Sequence, residues 1–130
     1  MKKYILTALF VTIGLFGGCE RSKAEGPKPV GKTKAQVTFI DLGSVNCIPC
    51  KAMLPVMEAL EKEYGDQIKI VFHDVWKDQA PARQYRIRLI PTQVFLDENG
   101  VEFHRHEGFY AKEEIDKLLE ARGLKRQVKS

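Results

Sequence analysis

The 130-residue chain has only three cysteines, three histidines and one tryptophan, and it contains no internal repeat or low-complexity segment. Each shortage excludes something. The length suits one modest domain and not two. Cys47 and Cys50 form a C-x-x-C pair that would be half of a zinc site, but no second cysteine pair supplies the remaining ligands. Haem attachment needs a histidine directly after Cys50, and Lys51 stands there. The one long apolar run, Tyr4 to Phe16, falls short of the about 20 residues that span a bilayer. Charge of one sign is also scarce. Dropping Lys2 and Lys3, which lie in that leader, from the 21 basic residues leaves 19 against 17 acidic ones. That balance is too even to argue for nucleic acid, and the basic residues Arg122, Lys125, Arg126 and Lys129 read as a solvated C-terminal tail over 125–130. The apolar share of 44% excludes general disorder.

What is present begins with an export signal. Lys2-Lys3 is a charged n-region, Tyr4 to Phe16 a compact apolar h-region, and small residues Gly17-Gly18 precede Cys19. This arrangement, read as a signal over 1–18, resembles the lipobox of bacterial lipoproteins, with Phe16 where leucine is commonest. The resemblance implies that Cys19 is acylated and becomes the first mature residue, which leaves an even pair of cysteines. Cleavage after Ala24 is the alternative, disfavoured by the charges of Glu20, Arg21 and Lys23. Residues 19–35 are polar, charged and broken by Gly and Pro, and so are expected to form a tether with a reach of roughly 20–25 Å.

Residues 36–124 carry the pattern of an α/β domain. Gln36 to Leu42 is rich in β-branched and aromatic residues and predicts a buried strand. From Pro49 the apolar positions Met53, Val56, Met57, Leu60 and Tyr64 recur at helical spacing, with Gly65 as a stop. Ile68 to Val75 predicts a second strand, Ala80 to Tyr85 a short helix, and Thr92 to Leu96 a third strand. Asp97-Glu98-Asn99-Gly100 has hairpin-turn chemistry, so Val101 to His106 follows as an antiparallel strand. Ala111 to Ala121 predicts a closing helix with Ile115, Leu118 and Leu119 inward. The first two strands, joined through a helix, are expected to be parallel.

The cysteine pair lies where the first strand passes into the first helix. A cysteine there meets unpaired backbone N–H groups and the positive end of the helix dipole, which favour the thiolate that attacks disulfides. Within an α/β pattern this favours a redox dithiol. Four features in order resemble the thioredoxin superfamily over roughly residues 36–122. They are Cys47-Ile48-Pro49-Cys50-Lys51 as the active-site turn, Asp41 six residues before Cys47, Pro55 five residues after Cys50, and Ile90-Pro91-Thr92 as the cis-proline loop. Gly100 and Gly108 fall where the family has turn and strand-end glycines.

The resemblance implies a central mixed sheet of about four strands flanked by helices. The family's first strand and helix are reduced or absent here, since residues 20–35 have no suitable pattern. It also implies that Cys47 is the nucleophile and Cys50 the resolving thiol, joined as a redox-active disulfide when oxidised. Asp41 would be a buried carboxylate that takes the Cys50 proton. Pro91, in the cis form, would place the backbone of Ile90 beside the dithiol. Asn46, Ile48, Pro49, Ile90, Pro91 and Thr92 are the expected substrate contacts. No cofactor or metal is implied. Two departures stand out: Asn46 replaces the family's usual tryptophan, and the lysine near the buried aspartate is missing from the stretch Phe72-His73-Asp74. His73 reads as a packed or solvated strand residue rather than a tuning group, and Trp76 as packing rather than recognition.

The expectation is therefore a monomeric thiol–disulfide oxidoreductase, lipid-anchored on the periplasmic side of a bacterial membrane. It would reduce protein disulfides, with oxidation or isomerisation as lesser variants, and draw electrons from a thiol-reducing membrane protein. The alternative is a thioredoxin-like metal carrier or a non-catalytic binding module. It would have to draw on His73, His104 and His106, none of which lies in an evident motif.

Overall fold

The computed structural model describes residues 35–127. The signal, Cys19 and all of the tether but Ala35 lie outside the described residues, as does the region expected to lack the family's first strand and helix.

Strand β1 (Val37–Gly43) leads into a short helix α1 (Ile48–Lys51), then α2 (Met53–Tyr64) and a 3-10 turn at Gly65–Gln67. Strand β2 (Ile68–Asp74), helix α3 (Ala80–Gln84), strands β3 (Thr92–Asp97) and β4 (Glu102–Glu107), and helix α4 (Lys112–Ala121) complete the order. The sheet order is β2-β1-β3-β4, with β1 and β2 parallel and the other pairs antiparallel. This is the mixed α/β sheet expected from the sequence.

Every residue of β1 is buried, which explains its apolar run: a central strand is covered on both faces. Side chains alternate between the faces. Val37 and Phe39 pack with Met53, Met57, Leu60 and Tyr64 of α2 and with Ile115 and Leu119 of α4. Ile40 and Leu42 pack on the other side with Val75, Tyr85, Val94 and Leu96. Phe39 meets Phe95 of β3 edge-on, with ring centroids 4.9 Å apart.

The helix after the dithiol is broken at Ala52 rather than continuous. Pro55 has no N–H to give the carbonyl of Lys51, four residues back, and its ring crowds that carbonyl. Gly65 ends α2 with φ of 54°, a left-handed conformation that side chains resist. The β3–β4 turn is fastened by Asp97, whose Oδ1 accepts the N–H groups of Asn99 and Val101, each at 2.9 Å. Strand β4 starts at Glu102, one residue later than the sequence suggested, and its register with β3 shifts between Phe95 and Leu96.

Helices α2 and α4 are tied by a polar set at their inner edge. Tyr64 Oη donates to Asp116 Oδ1 at 3.0 Å, and Lys112 Nζ donates to both Glu63 and Asp116. The backbone of the C-terminal segment at Lys125 and Gln127 is held to the domain. Gln67 bonds both the N–H and the carbonyl of Lys125, and Gln127 N–H donates to Glu63 O. The side chains of Lys125 and Arg126 are exposed, as a solvated basic segment requires.

Phe39 is fully buried at the contact of β1, β3 and α2. Phe39→Ala is expected to cost about 3–5 kcal/mol of stability, read as a fall in the urea midpoint of the purified chain.

Candidate active site

Four loops gather at one end of the sheet. The C-terminal ends of β1, β2 and β4 point there, and so does the N-terminal end of β3, because β1 and β2 are parallel and the others alternate. The β1 loop carries the cysteines. Its backbone is pinned by Ser44, whose Oγ accepts Asn46 N–H at 3.3 Å and whose carbonyl accepts Cys47 N–H at 3.2 Å. Asp74, at the end of β2, accepts the N–H groups of Val45 and Trp76 on its two oxygens. Burial pushes the Asp74 carboxyl up, but these bonds and the Ser44 hydroxyl outweigh it and hold the group below its ordinary value.

Cys47 occupies the N-cap of α1 in extended conformation, and its carbonyl accepts Lys51 N–H at 3.0 Å. Pro49 sits in the first turn, where its missing N–H has no helical partner to lose. Cys47 and Cys50 are joined as a disulfide, with Cα atoms 5.2 Å apart. The two sulfur-bearing residues differ in access: Cys47 is 9% exposed and Cys50 is fully buried. Only Cys47 can be approached from outside, which fits attack there and resolution by Cys50.

Beneath the pair lies Asp41, fully buried on the face of β1 that looks toward the active-site helix. Gln93 Nε2 donates to its Oδ1 at 2.9 Å. Its other oxygen, Oδ2, has no hydrogen-bond partner among the described residues. Gly43 explains how this oxygen and the dithiol come close. A Cβ on Gly43 would stand 3.2 Å from Cys50 Sγ and 3.5 Å from Asp41 Oδ2, so glycine leaves open the space between them. Burial raises the Asp41 carboxyl to about 6, and the bond from Gln93 works weakly against that rise. A carboxyl of that pKa is mostly ionised at neutral pH, yet basic enough to take a proton from a thiol above it.

The Ile90–Pro91 bond is cis, as the resemblance implied. Pro91 O accepts Gly108 N–H at 2.8 Å, which ties this loop to the end of β4. Thr92 is fully buried and its hydroxyl donates to Leu89 O at 2.7 Å, so its side chain shapes the loop from within. Asn46, Ile48 and Pro49 are exposed around the disulfide, Ile90 is half-buried, and Pro91 is buried.

Trp76 also departs from expectation. It lies just past β2 and is 60% exposed rather than packed. Val45, Leu89 and Phe109 are exposed in the loops at the same end, and Ile48 at the start of α1. His73 pairs with Leu42, one position beyond the Asp41–Phe72 pair, so it belongs to the opposite face from Asp41. Phe72 therefore stands on β2 beside Asp41, where a lysine was missed in the sequence. His104 and His106 are engaged elsewhere: Tyr110 stacks on His106 at 4.0 Å, and its hydroxyl lies 3.2 Å from His104 Nε2. Gln93 and Gly43 were not singled out from the sequence. The alternation of β3, with Gln93 on the face of Phe95, was the available signal for Gln93.

A family model described as a thioredoxin-like domain matches residues 27–123. The chain is 36% identical over 88 residues to a thioredoxin of Bacillus subtilis (strain 168), covering 68% of this chain and 84% of that one. It is 36% identical over 99 residues to the chloroplastic thioredoxin F-type of Spinacia oleracea, covering 76% of this chain and 45% of the relative. The chain spans about half the length of this relative and of the chloroplastic thioredoxin Y of Oryza sativa. Among solved structures, a mutant thioredoxin from Halobacterium salinarum NRC-1 superposes with a TM-score of 0.62 at 26% identity, covering 69% of this chain and 77% of that one. The fold and the cysteine pair define a thiol–disulfide oxidoreductase, a class that acts on protein disulfides. The chain belongs to the thioredoxin-like family.

The buried carboxyl has a consequence for stability. The folded state keeps the Asp41 proton up to about pH 6, whereas an unfolded aspartate loses it near 3.8. Stability therefore falls as pH rises through that window. At roughly 1.4 kcal/mol per pKa unit, this corresponds to about 3 kcal/mol at neutral pH. Asp41→Asn is expected to be more stable than wild type by about 2–3 kcal/mol at pH 8 and nearly equal to it at pH 3.5, measured by denaturant unfolding at both values.

Proposed function

We propose that this protein reduces disulfides in exported proteins, tethered through acylated Cys19 on the periplasmic side of a bacterial membrane. The observation that carries the chemistry is the accessible Cys47 bonded to a buried Cys50 that shares the space over Gly43 with Asp41. In the reduced protein, the Cys47 thiolate attacks one sulfur of a substrate disulfide. That bond breaks, a mixed disulfide forms on Cys47, and the other substrate sulfur leaves as a thiolate that takes a proton. Cys50 then attacks Cys47 Sγ and gives its proton to Asp41. The second substrate thiolate is released, and Cys47–Cys50 closes as the disulfide. The dithiol of a membrane thiol-reducing protein then gives two electrons to the pair and becomes a disulfide, its two protons balancing those of the two substrate thiols. Asp41 returns its proton to Cys50, and Cys47 is again the thiolate.

The C-x-P-C turn and a carboxylate that accepts the resolving proton support reduction over oxidation. The exposed apolar groups near the dithiol, Ile48, Val45, Trp76, Leu89 and Phe109, suit an unfolded or extended polypeptide client. Trp76 takes up the recognition surface that Asn46 gives up. The backbone of Ile90 beside cis-Pro91 is the place where such a client would add as a strand. Export and anchoring rest on the leader: Lys2-Lys3, the short apolar run, and small residues before Cys19.

Cys50→Ser is expected to accumulate mixed disulfides through Cys47, seen as thiol-sensitive bands on a non-reducing gel. Cys47→Ser should show neither these bands nor turnover of a disulfide substrate; turnover retained in Cys47→Ser would move the nucleophile elsewhere. The anchor has its own test. Cys19→Ala should move the protein from the membrane to the soluble fraction of a producing bacterium, and unchanged fractionation would remove the lipid from the account.

A further inference from the structure

We propose that Gln93 is a positioning residue of the exchange reaction, fixing which oxygen of Asp41 meets Cys50 and partnering that carboxyl in both of its protonation states. The role rests on the reading of Cys47 and Cys50 as an exchanging dithiol. Gln93 lies directly across from Asp41 in the β1–β3 register and is fully buried. Its Nε2 donates to Oδ1 at 2.9 Å, and this leaves Oδ2 as the oxygen on the Cys50 side of Gly43.

The neighbours of Asp41 make Gln93 its polar partner. On β2 the register position is Phe72, which has no charge to offer. On α1 the facing group is Cys50. On β4, His106 is the partner of Gln93 rather than of Asp41, and its Nε2 lies 3.2 Å from Phe109 O while its ring stacks on Tyr110. The displacement of the Asp41 carboxyl has two causes, burial and the Gln93 bond, and no charged residue is among them.

A buried glutamine is a costly choice for packing alone. Its Oε1 has no hydrogen-bond partner among the described residues, and a methionine of like size would fill the space without an unpaired carbonyl. A neutral donor explains the choice. With Asp41 ionised, Nε2–H donates to the carboxylate at Oδ1. When the proton arrives from Cys50 on Oδ2, the same N–H still donates to Oδ1, now the carbonyl oxygen of the acid. A lysine ammonium would instead hold the carboxyl ionised. Gln93 gives the carboxyl a partner before and after proton transfer, so its ability to take the proton stays centred near neutral pH.

The test uses the purified full chain. In wild type, the carboxyl carbon of Asp41 and the side-chain amide protons of Gln93 are followed by NMR across pH 4–9. The two should titrate with one midpoint; an amide that does not respond at the Asp41 midpoint overturns the proposal. In Gln93→Met, the donor to the ionised form is lost, so the Asp41 midpoint should rise by about one pH unit. The pH–rate step for reduction of an insulin disulfide, with a chemical dithiol as electron source, should rise with it. Gln93→Lys should move both midpoints down. Midpoints that stay fixed in both variants overturn the role of Gln93 and leave the redox reading intact. Turnover surviving in Cys47→Ser overturns the redox reading itself, while the NMR titration reports on the Gln93–Asp41 pair independently of turnover.

Discussion

A carboxyl group buried on the central strand is the constraint on which this structure turns. Asp41 is fully buried, and the side-chain amide of Gln93 supports it. Burial of a charge without an opposite charge is unfavourable, and the group answers by holding its proton to about pH 6. The same interior that makes Asp41 costly makes it useful. A residue held at that pKa, next to a buried thiol, can accept a proton during exchange and release it afterwards.

The architecture follows from keeping that carboxyl and the dithiol together. Strand β1 is central, so Asp41 is covered by β2 and β3 at its sides and by the active-site helix above. Gly43 has no side chain to separate Asp41 from Cys50. Cys47 caps α1 from a loop that Ser44 and Asp74 fasten. The chain direction in a β2-β1-β3-β4 sheet then brings the cis-proline loop, the Trp76 loop and the Phe109 loop to the same end. The dithiol and the exposed apolar groups thus arise at one end of one arrangement.

Much of this was legible from local patterns. The run Val37 to Leu42 marks a strand buried on both faces, the spacing of Met53, Met57, Leu60 and Tyr64 marks a helix, and Pro55 marks its break. The cysteine turn and Ile90-Pro91 identify the site as a set in order along the chain. Long-range pairing was not legible. Asp41 and Gln93 are separated by 52 positions, and no local pattern states that β3 lies beside β1 in that register. Register also decides that His73 belongs to the face opposite Asp41 and that Phe72 stands beside it. Trp76 looked like a core residue by composition. Its exposure follows from its place just beyond β2, where Asp74 holds its backbone at the loop. That the Thr92 hydroxyl bonds Leu89 O was likewise not legible from the motif.

The central claim is that the buried carboxyl and the Cys47–Cys50 pair serve disulfide reduction. The most direct measurement is the equilibrium reduction potential of that pair, titrated against a thiol buffer of known potential at pH 7. A value near that of thioredoxin, roughly −270 mV, is the predicted result. A value near −120 mV, roughly that of a strongly oxidising dithiol protein, would contradict the claim and make the pair a donor of disulfides.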